Sequence, residues 1–207
     1  MQIGRLAPWY RWIEYAAYGR ALERRRFAFL RRLAGARRVL ILGEGDGRTV
    51  ARLLRIAPQA EFDVVEVSPE MIALARGRVG DSARVHFHQS DARTYRWPAG
   101  SYDAVVTNFF LDCFTDEDLA PLVRQLAEAL APEGIWIVAE FAIPPRGWQR
   151  AHARIWIWTM YRFFGITTGL RAQKLPAIAR LMREAGMIRV EQQSERAGLM
   201  VSEVWRR

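Results

Sequence analysis

The 207-residue sequence predicts an α/β protein of three layers, with a mostly parallel sheet of seven strands, an antiparallel hairpin at one edge and a helical extension at the N-terminus. Three observations predict it. From Val39 onward, short apolar runs rich in β-branched residues alternate with helical segments, the pattern of parallel strands joined by helical crossovers. The first run ends at Gly43, Gly45 and Gly47, a glycine-rich turn between strand and helix. The last two runs follow each other without a helix between them, which favours an antiparallel hairpin.

Taken in order, residues 8–33 read as one or two helices. Trp9, Trp12, Ile13, Ala16 and Ala17 recur at helical spacing, Gly19 interrupts, and Leu22 to Leu33 resumes with an Arg-rich outer face. Residues 39–42 form a strand. Residues 48–56 form a helix stopped by Ala57-Pro58. Residues 61–67 form a strand, and Ser68-Pro69-Glu70 starts the next helix with a serine N-cap and Pro at its first position. Strands follow at 85–88 and 102–108, then a helix at 116–130 and a strand at 135–141. Beyond Pro144-Pro145 come helices at 149–164 and 177–185, and closing strands at 187–193 and 199–205.

Composition bounds the function. Hydrophobic residues make up 51% and charged residues 26%, which excludes a disordered, collagen-like or polytopic membrane chain. The single cysteine, Cys113, excludes an internal disulfide and a multi-cysteine metal site, and His86 and His88 suggest no metal cluster. The first ten residues lack the apolar stretch of a secretory signal. The longest apolar segment, 155–170, is interrupted by Arg162. The expectation is a soluble, cytoplasmic protein, peripheral at the inner membrane face. It is read as one domain: a helical cap (1–38), a cofactor-binding core (39–145), and an aromatic helix with closing strands (146–207).

The net charge of +9 points first to nucleic acid or an anionic membrane. It is unevenly spread: residues 1–40 carry +8, 41–145 carry −7 and 146–207 carry +8. The core is therefore acidic between basic flanks.

In the turn Gly43-Glu44-Gly45-Asp46-Gly47 the spacing is not the G-x-G-x-x-G of pyrophosphate-binding sites. Glu44 and Asp46 would repel a pyrophosphate and suit a cationic, phosphate-free ligand. S-adenosyl-L-methionine, with its sulfonium and ammonium, is such a ligand. Glu66, with Val67 and Met71, falls where a carboxylate at the end of the second strand can accept from ribose hydroxyls. Asp91 and Ala92 follow the third strand, where adenine would lie. Asn108 and Phe109 end the fourth strand, where methyl group and acceptor would meet.

On VLILGEGDGR (39–48), VVEVSPEMIALAR (64–76), HQSDA (88–92), YDAVVTNFFLDCF (102–114) and LAPEGIWIVAEF (130–141), the sequence resembles the class I S-adenosylmethionine-dependent methyltransferases, over about 35–145. The resemblance implies a Rossmann-like methyltransferase fold, methyl transfer, and S-adenosyl-L-homocysteine as product. Ile41 stands where the family usually has an acid, a change that puts the strength of cofactor binding in question. Glu44 takes over part of that acid's role near the methionine ammonium. Pro132-Glu133-Gly134 replaces the usual Pro-Gly-Gly.

The flanks, APWYRWIEYAAYGRALERRR (7–26), AEFAIPP (139–145) and KLPAIARLMREAGM (174–187), resemble the ubiquinone/menaquinone methyltransferases and the bacterial phospholipid N-methyltransferases. That implies a lipophilic acceptor, quinol-like, phenol-like or a lipid headgroup. Asp112 is the candidate base or orienting group, or else a turn carboxylate. His152 is second, and Tyr161 and Tyr18 would hydrogen-bond the acceptor beside Trp156. The Trp-rich helix with Arg150, Arg154 and Arg162 on one face is either a lid or an interfacial helix. Two other readings stay open: a non-catalytic cofactor-binding partner protein, and a nucleic-acid methyltransferase. Asn108-Phe109-Phe110-Leu111 lacks the Pro-Pro-aromatic signature of amino methylation, and no RNA-binding domain is visible, so nucleic acid is not an expected partner.

Overall fold

In the computed structural model the described residues are 18–168, 172 and 174–207, with the backbone alone described at 163–168. The helix expected over 8–17, with Trp9 and Trp12, lies outside them.

Gly19, with φ of +57°, precedes helix α1 (Ala21–Phe27), and a 3₁₀ turn follows at Leu30–Leu33. The strands are β1 (Arg38–Leu42), β2 (Glu61–Glu66), β3 (Val85–Gln89), β4 (Tyr102–Asn108), β5 (Leu130–Phe141), β6 (Ile188–Glu195) and β7 (Met200–Arg206). The remaining helices are α2 (Arg48–Ile56), α3 (Pro69–Val79), α4 (Asp116–Ala129), α5 (Trp148–Thr168) and α6 (Ile178–Glu184). Ser68 caps α3, its hydroxyl accepting from the Met71 amide, and Thr115 caps α4 in the same way at Asp118.

The sheet order is β3-β2-β1-β4-β5-β7-β6. β7 runs antiparallel to both neighbours, so the closing hairpin inserts its second strand beside β5 and leaves β6 at the edge. β5 begins five residues earlier than the sequence pattern indicated. Its pairing with β4 jumps from Tyr102–Leu130 to Ala104–Ile135, so Pro132-Glu133-Gly134 sits in a bulge.

Alternation along β1 separates the two cores. Leu40 and Leu42 pack with Leu119, Leu126, Trp136 and Trp205 on one face, and Val39 and Ile41 pack with Leu53 and Phe62 on the other. Ile41, which stands where the resemblance implies an acid, is thus a core residue.

A third apolar cluster lies between α1 and α5, where Tyr18, Leu22, Phe141, Ala153, Ile157 and Tyr161 meet. The Arg-rich face of α1 turns toward the sheet edge rather than to solvent alone. Arg24 and Arg25 pair with Glu195, Arg32 pairs with Glu191, and the Ser202 hydroxyl donates to the Arg25 carbonyl at 2.7 Å. No helix among the described residues is long and apolar enough to cross a membrane.

Candidate active site

A cavity of about 410 Å³ opens at the carboxyl ends of β1, β2 and β4, where a doubly wound sheet receives ligands. Its floor is the turn between β1 and α2. Gly43 adopts φ of +61°, and a Cβ there would stand 2.2 Å from the Phe110 ring. Glycine at this position lets the aromatic ring close over the turn. Gly47 serves helix packing instead, since its Cβ would meet the Ala75 Cα at 2.7 Å, and it does not line the cavity.

The carboxylates around the turn have distinct tasks. Glu44 is buried and accepts from the Thr49 and Val50 amides at 2.6 and 3.1 Å, so it caps α2. Burial pushes its pKa up to about 7, against the pull of the Arg26 guanidinium and of the amides it holds. Asp46 is engaged by Arg48 at 2.8 Å and Arg78 at 2.9 Å. Neither acid therefore presents the free negative charge expected from the sequence.

Glu66 does face the cavity with capacity left. One oxygen accepts from Gly45 N at 3.3 Å and the other from Ser68 N at 3.0 Å. A carboxylate has about four acceptor sites, so a pair of hydroxyls could still bind. Burial raises its pKa, partly offset by those amides. Asp91 is more fully occupied. Oδ1 accepts from the Arg93 amide at 2.9 Å, and the Arg93 guanidinium reaches both oxygens, the shortest contact being 2.6 Å. These bonds hold Asp91 below the usual carboxylate range. Val67, Met71 and Ala92 add apolar wall nearby.

At the end of β4, Asn108 donates to Thr49 Oγ1 at 3.3 Å, and its Oδ1 is buried with no hydrogen-bond partner among the described residues. Asn108 lines the cavity, so this buried oxygen lies at its wall. Phe109 holds φ of +53°, costly for a non-glycine residue, and its amide donates to Ala139 O at 2.7 Å. Phe109, Phe110 and Phe114 make this end of the cavity aromatic.

Behind that wall lie two buried carboxyls, Asp112 and Glu140. Glu140 Oε1 accepts from the Phe110 and Leu111 amides at 3.0 and 2.8 Å. Burial raises both groups, Asp112 to about 6 and Glu140 well above the ordinary value, where the charge of Asp112 adds to the shift. The Cys113 thiol contacts Asp112 Oδ1 at 3.6 Å. Burial and the two acids push that thiol up, so it stays protonated.

Residues 39–134 match the methyltransferase domain family. The chain is 32% identical over 143 residues to the demethylmenaquinone methyltransferase of Thermus thermophilus, covering 69% of this chain and 64% of that protein. The core of the chain is thus similar to the methyltransferase domain. It is also 34% identical over 105 residues to the malonyl-[acyl-carrier protein] O-methyltransferase of Halorhodospira halophila, covering 51% of this chain and 35% of that one. The matches thus span less than two thirds of either relative. Among solved structures, the N-methyltransferase NodS of Bradyrhizobium japonicum, in complex with S-adenosyl-L-homocysteine, shares the fold. It aligns at a TM-score of 0.65 with 19% identity, covering 89% of this chain and 87% of that one.

In this chain the cavity gathers Gly43, Glu44, Gly45, Asp46, Glu66, Val67, Met71, Asp91, Ala92, Asn108 and Phe109. The three residues singled out for catalysis are not in its lining. Asp112 meets Glu140 behind the wall. Tyr161 is buried and donates to the Asp112 carbonyl at 2.7 Å. His152 is exposed on α5, its ring 6.3 Å from that of Trp148 and 6.5 Å from that of Trp156. Tyr18 accepts from Trp156 Nε1 at 3.2 Å and packs on Phe141. These two aromatics brace α1 against α5 and also lie outside the lining.

Two residues escaped the sequence reading. Glu140 had a signal, a lone carboxylate within the apolar run Ile137 to Phe141. Arg26 had none, since it sits in an arginine triplet, yet it is buried and reaches the cavity.

Proposed function

We propose that the chain transfers the methyl group of S-adenosyl-L-methionine to a small lipophilic acceptor of the quinol or phenol kind. The observation that carries this reading is the aromatic end of the cavity, Phe109, Phe110 and Phe114, set directly beside the unpartnered Asn108 Oδ1. The demethylmenaquinone methyltransferase relative supports the acceptor class.

The residues present fit the cofactor. Glu66 would hold its ribose hydroxyls, Val67, Met71 and Ala92 its adenine face, Asp91 its adenine amino group, and Asn108 Oδ1 its ammonium. The cofactor supplies an electrophilic methyl group on sulfur. The chain supplies position and dryness: the Phe110 ring closes over Gly43, and the aromatic wall excludes water from the line of displacement. Asp112 and Tyr161 act as positioning residues, since they hold the turn that carries Phe110 and Phe114. With no carboxylate of the Asp112–Glu140 pair in the lining, the acceptor enters already ionised or with an easily lost proton. In the same proposal, residues 1–38 cap the core of 39–145, and 146–207 provide the aromatic helix and closing strands of one domain.

A methyl-transfer screen with labelled cofactor, over quinols, phenols and phosphatidylethanolamine, tests the reading. Transfer to a quinol or phenol is expected. Transfer to phosphatidylethanolamine alone would replace it with lipid N-methylation. Binding of S-adenosyl-L-homocysteine without turnover on any acceptor would replace it with a non-catalytic role.

A further inference from the structure

We infer that the outward face of α5 docks this protein on an anionic lipid surface. Its inner face, Ala153, Ile157 and Tyr161, is buried against Tyr18 and Phe141. On the opposite face, Trp148, Ile155 and Trp158 are 73%, 67% and 63% exposed. Exposed tryptophans of that size cost free energy in water and sit favourably at the headgroup level of a bilayer.

Charge identifies the occupant. Between Trp148 and Thr168 there are three arginines, Arg150, Arg154 and Arg162, and no acidic residue. All three are exposed, and among the described residues no carboxylate pairs with them. The Arg162 guanidinium lies 5.9 Å from the centre of the Trp158 ring, so cation and aromatic body project together. The other basic cluster differs: Arg24 and Arg25 share Glu195, and Arg32 pairs with Glu191, both on β6. Positive charge without a carboxylate partner among the described residues thus lies on the same helix as the exposed tryptophans. Two exposed tryptophans on a basic, acid-free helix complement anionic headgroups over an apolar layer. The docking face lies outside the cavity, so loss of docking and loss of cofactor binding are separable.

The test is flotation of the full chain with vesicles of equal parts phosphatidylglycerol and phosphatidylcholine, and with phosphatidylcholine alone. Retention on the anionic vesicles at low ionic strength is expected, weakening at roughly half-molar salt. Trp148→Ser with Trp158→Ser, and separately Arg154→Glu with Arg162→Glu, should each lower partitioning by about tenfold or more. Both pairs should bind S-adenosyl-L-homocysteine as the native chain does, which shows that they are folded. Equal retention of the native chain and both variants would overturn the inference. So would equal binding to neutral vesicles, or loss of retention only when Arg24 and Arg32 are reversed. Retention on RNA but not on vesicles would assign the face to nucleic acid and overturn it as well.

Discussion

The Tyr161 hydroxyl donates a 2.7 Å hydrogen bond to the main-chain carbonyl of Asp112 and so ties the long helix α5 to the turn behind the aromatic wall. Tyr161→Phe leaves that buried carbonyl without its donor. A loss of about 1–2 kcal/mol in denaturant-unfolding stability is expected. Calorimetry should show affinity for S-adenosyl-L-homocysteine unchanged, because Tyr161 does not line the cavity. A large drop in that affinity would mean that α5 reaches the cofactor.

Glu66 is the carboxylate with acceptor capacity left toward the cavity. Glu66→Ala should weaken S-adenosyl-L-homocysteine by a factor of about 100, the worth of two hydrogen bonds to a charged group. Glu66→Gln should recover part of it. Native affinity in the alanine variant would place the ribose elsewhere.

Arg93 competes for the acceptor sites on Asp91 that an adenine amino group would use. Arg93→Ala is expected to hold or raise cofactor affinity, whereas Asp91→Ala lowers it. Equal losses in both would show that the pair binds as a unit.

The pKa of Glu44 rises from 4.5 unfolded to about 7 folded, chiefly through burial. Within that window the folded chain keeps a proton that the unfolded chain has released. The contribution of Glu44 therefore favours folding below about pH 4.5 and is progressively lost as pH rises to about 7. Glu44→Gln retains a neutral acceptor for the Thr49 and Val50 amides. Its stability relative to the native chain should climb across this window by on the order of 2–4 kcal/mol. Paired urea titrations at several pH values would show it, and a flat difference would count against the assignment.

Gly43→Ala should be severe, because the added methyl would meet the Phe110 ring at 2.2 Å in a turn with positive φ. Either the ring leaves the cavity wall or the turn distorts. Cofactor affinity and melting temperature should both fall, while Gly45→Ala, whose Cβ meets open space, should be milder in stability.

The order of strands and helices was legible because hydrophobic periodicity and the punctuation by Ala57-Pro58, Ser68-Pro69 and Pro144-Pro145 act locally. The glycine turn and Glu66 were legible for the same reason: strand ends bring them to one edge of the sheet. What the sequence hid was long-range pairing. Nothing local shows that Arg93 would occupy Asp91, that Glu44 would turn inward to cap α2, or that Arg24 and Arg32 would meet carboxylates more than 150 residues away. Asp112 looked exposed to an acceptor because it follows a strand end. The 3₁₀ turn at Leu111–Cys113 instead rotates it behind the wall, toward Glu140.

The place of β7 bears on how the chain assembles. It is the last strand to be synthesised of those described, yet it lies inside the sheet, between β5 and β6. Until Met200–Arg206 is available, the full edge of β5 is unpaired and β6 has no neighbour to join. A nascent or prematurely terminated chain ending before residue 200 would thus expose an apolar strand edge, the feature that invites pairing with other chains. Translation errors late in this sequence should yield aggregates rather than a smaller folded chain.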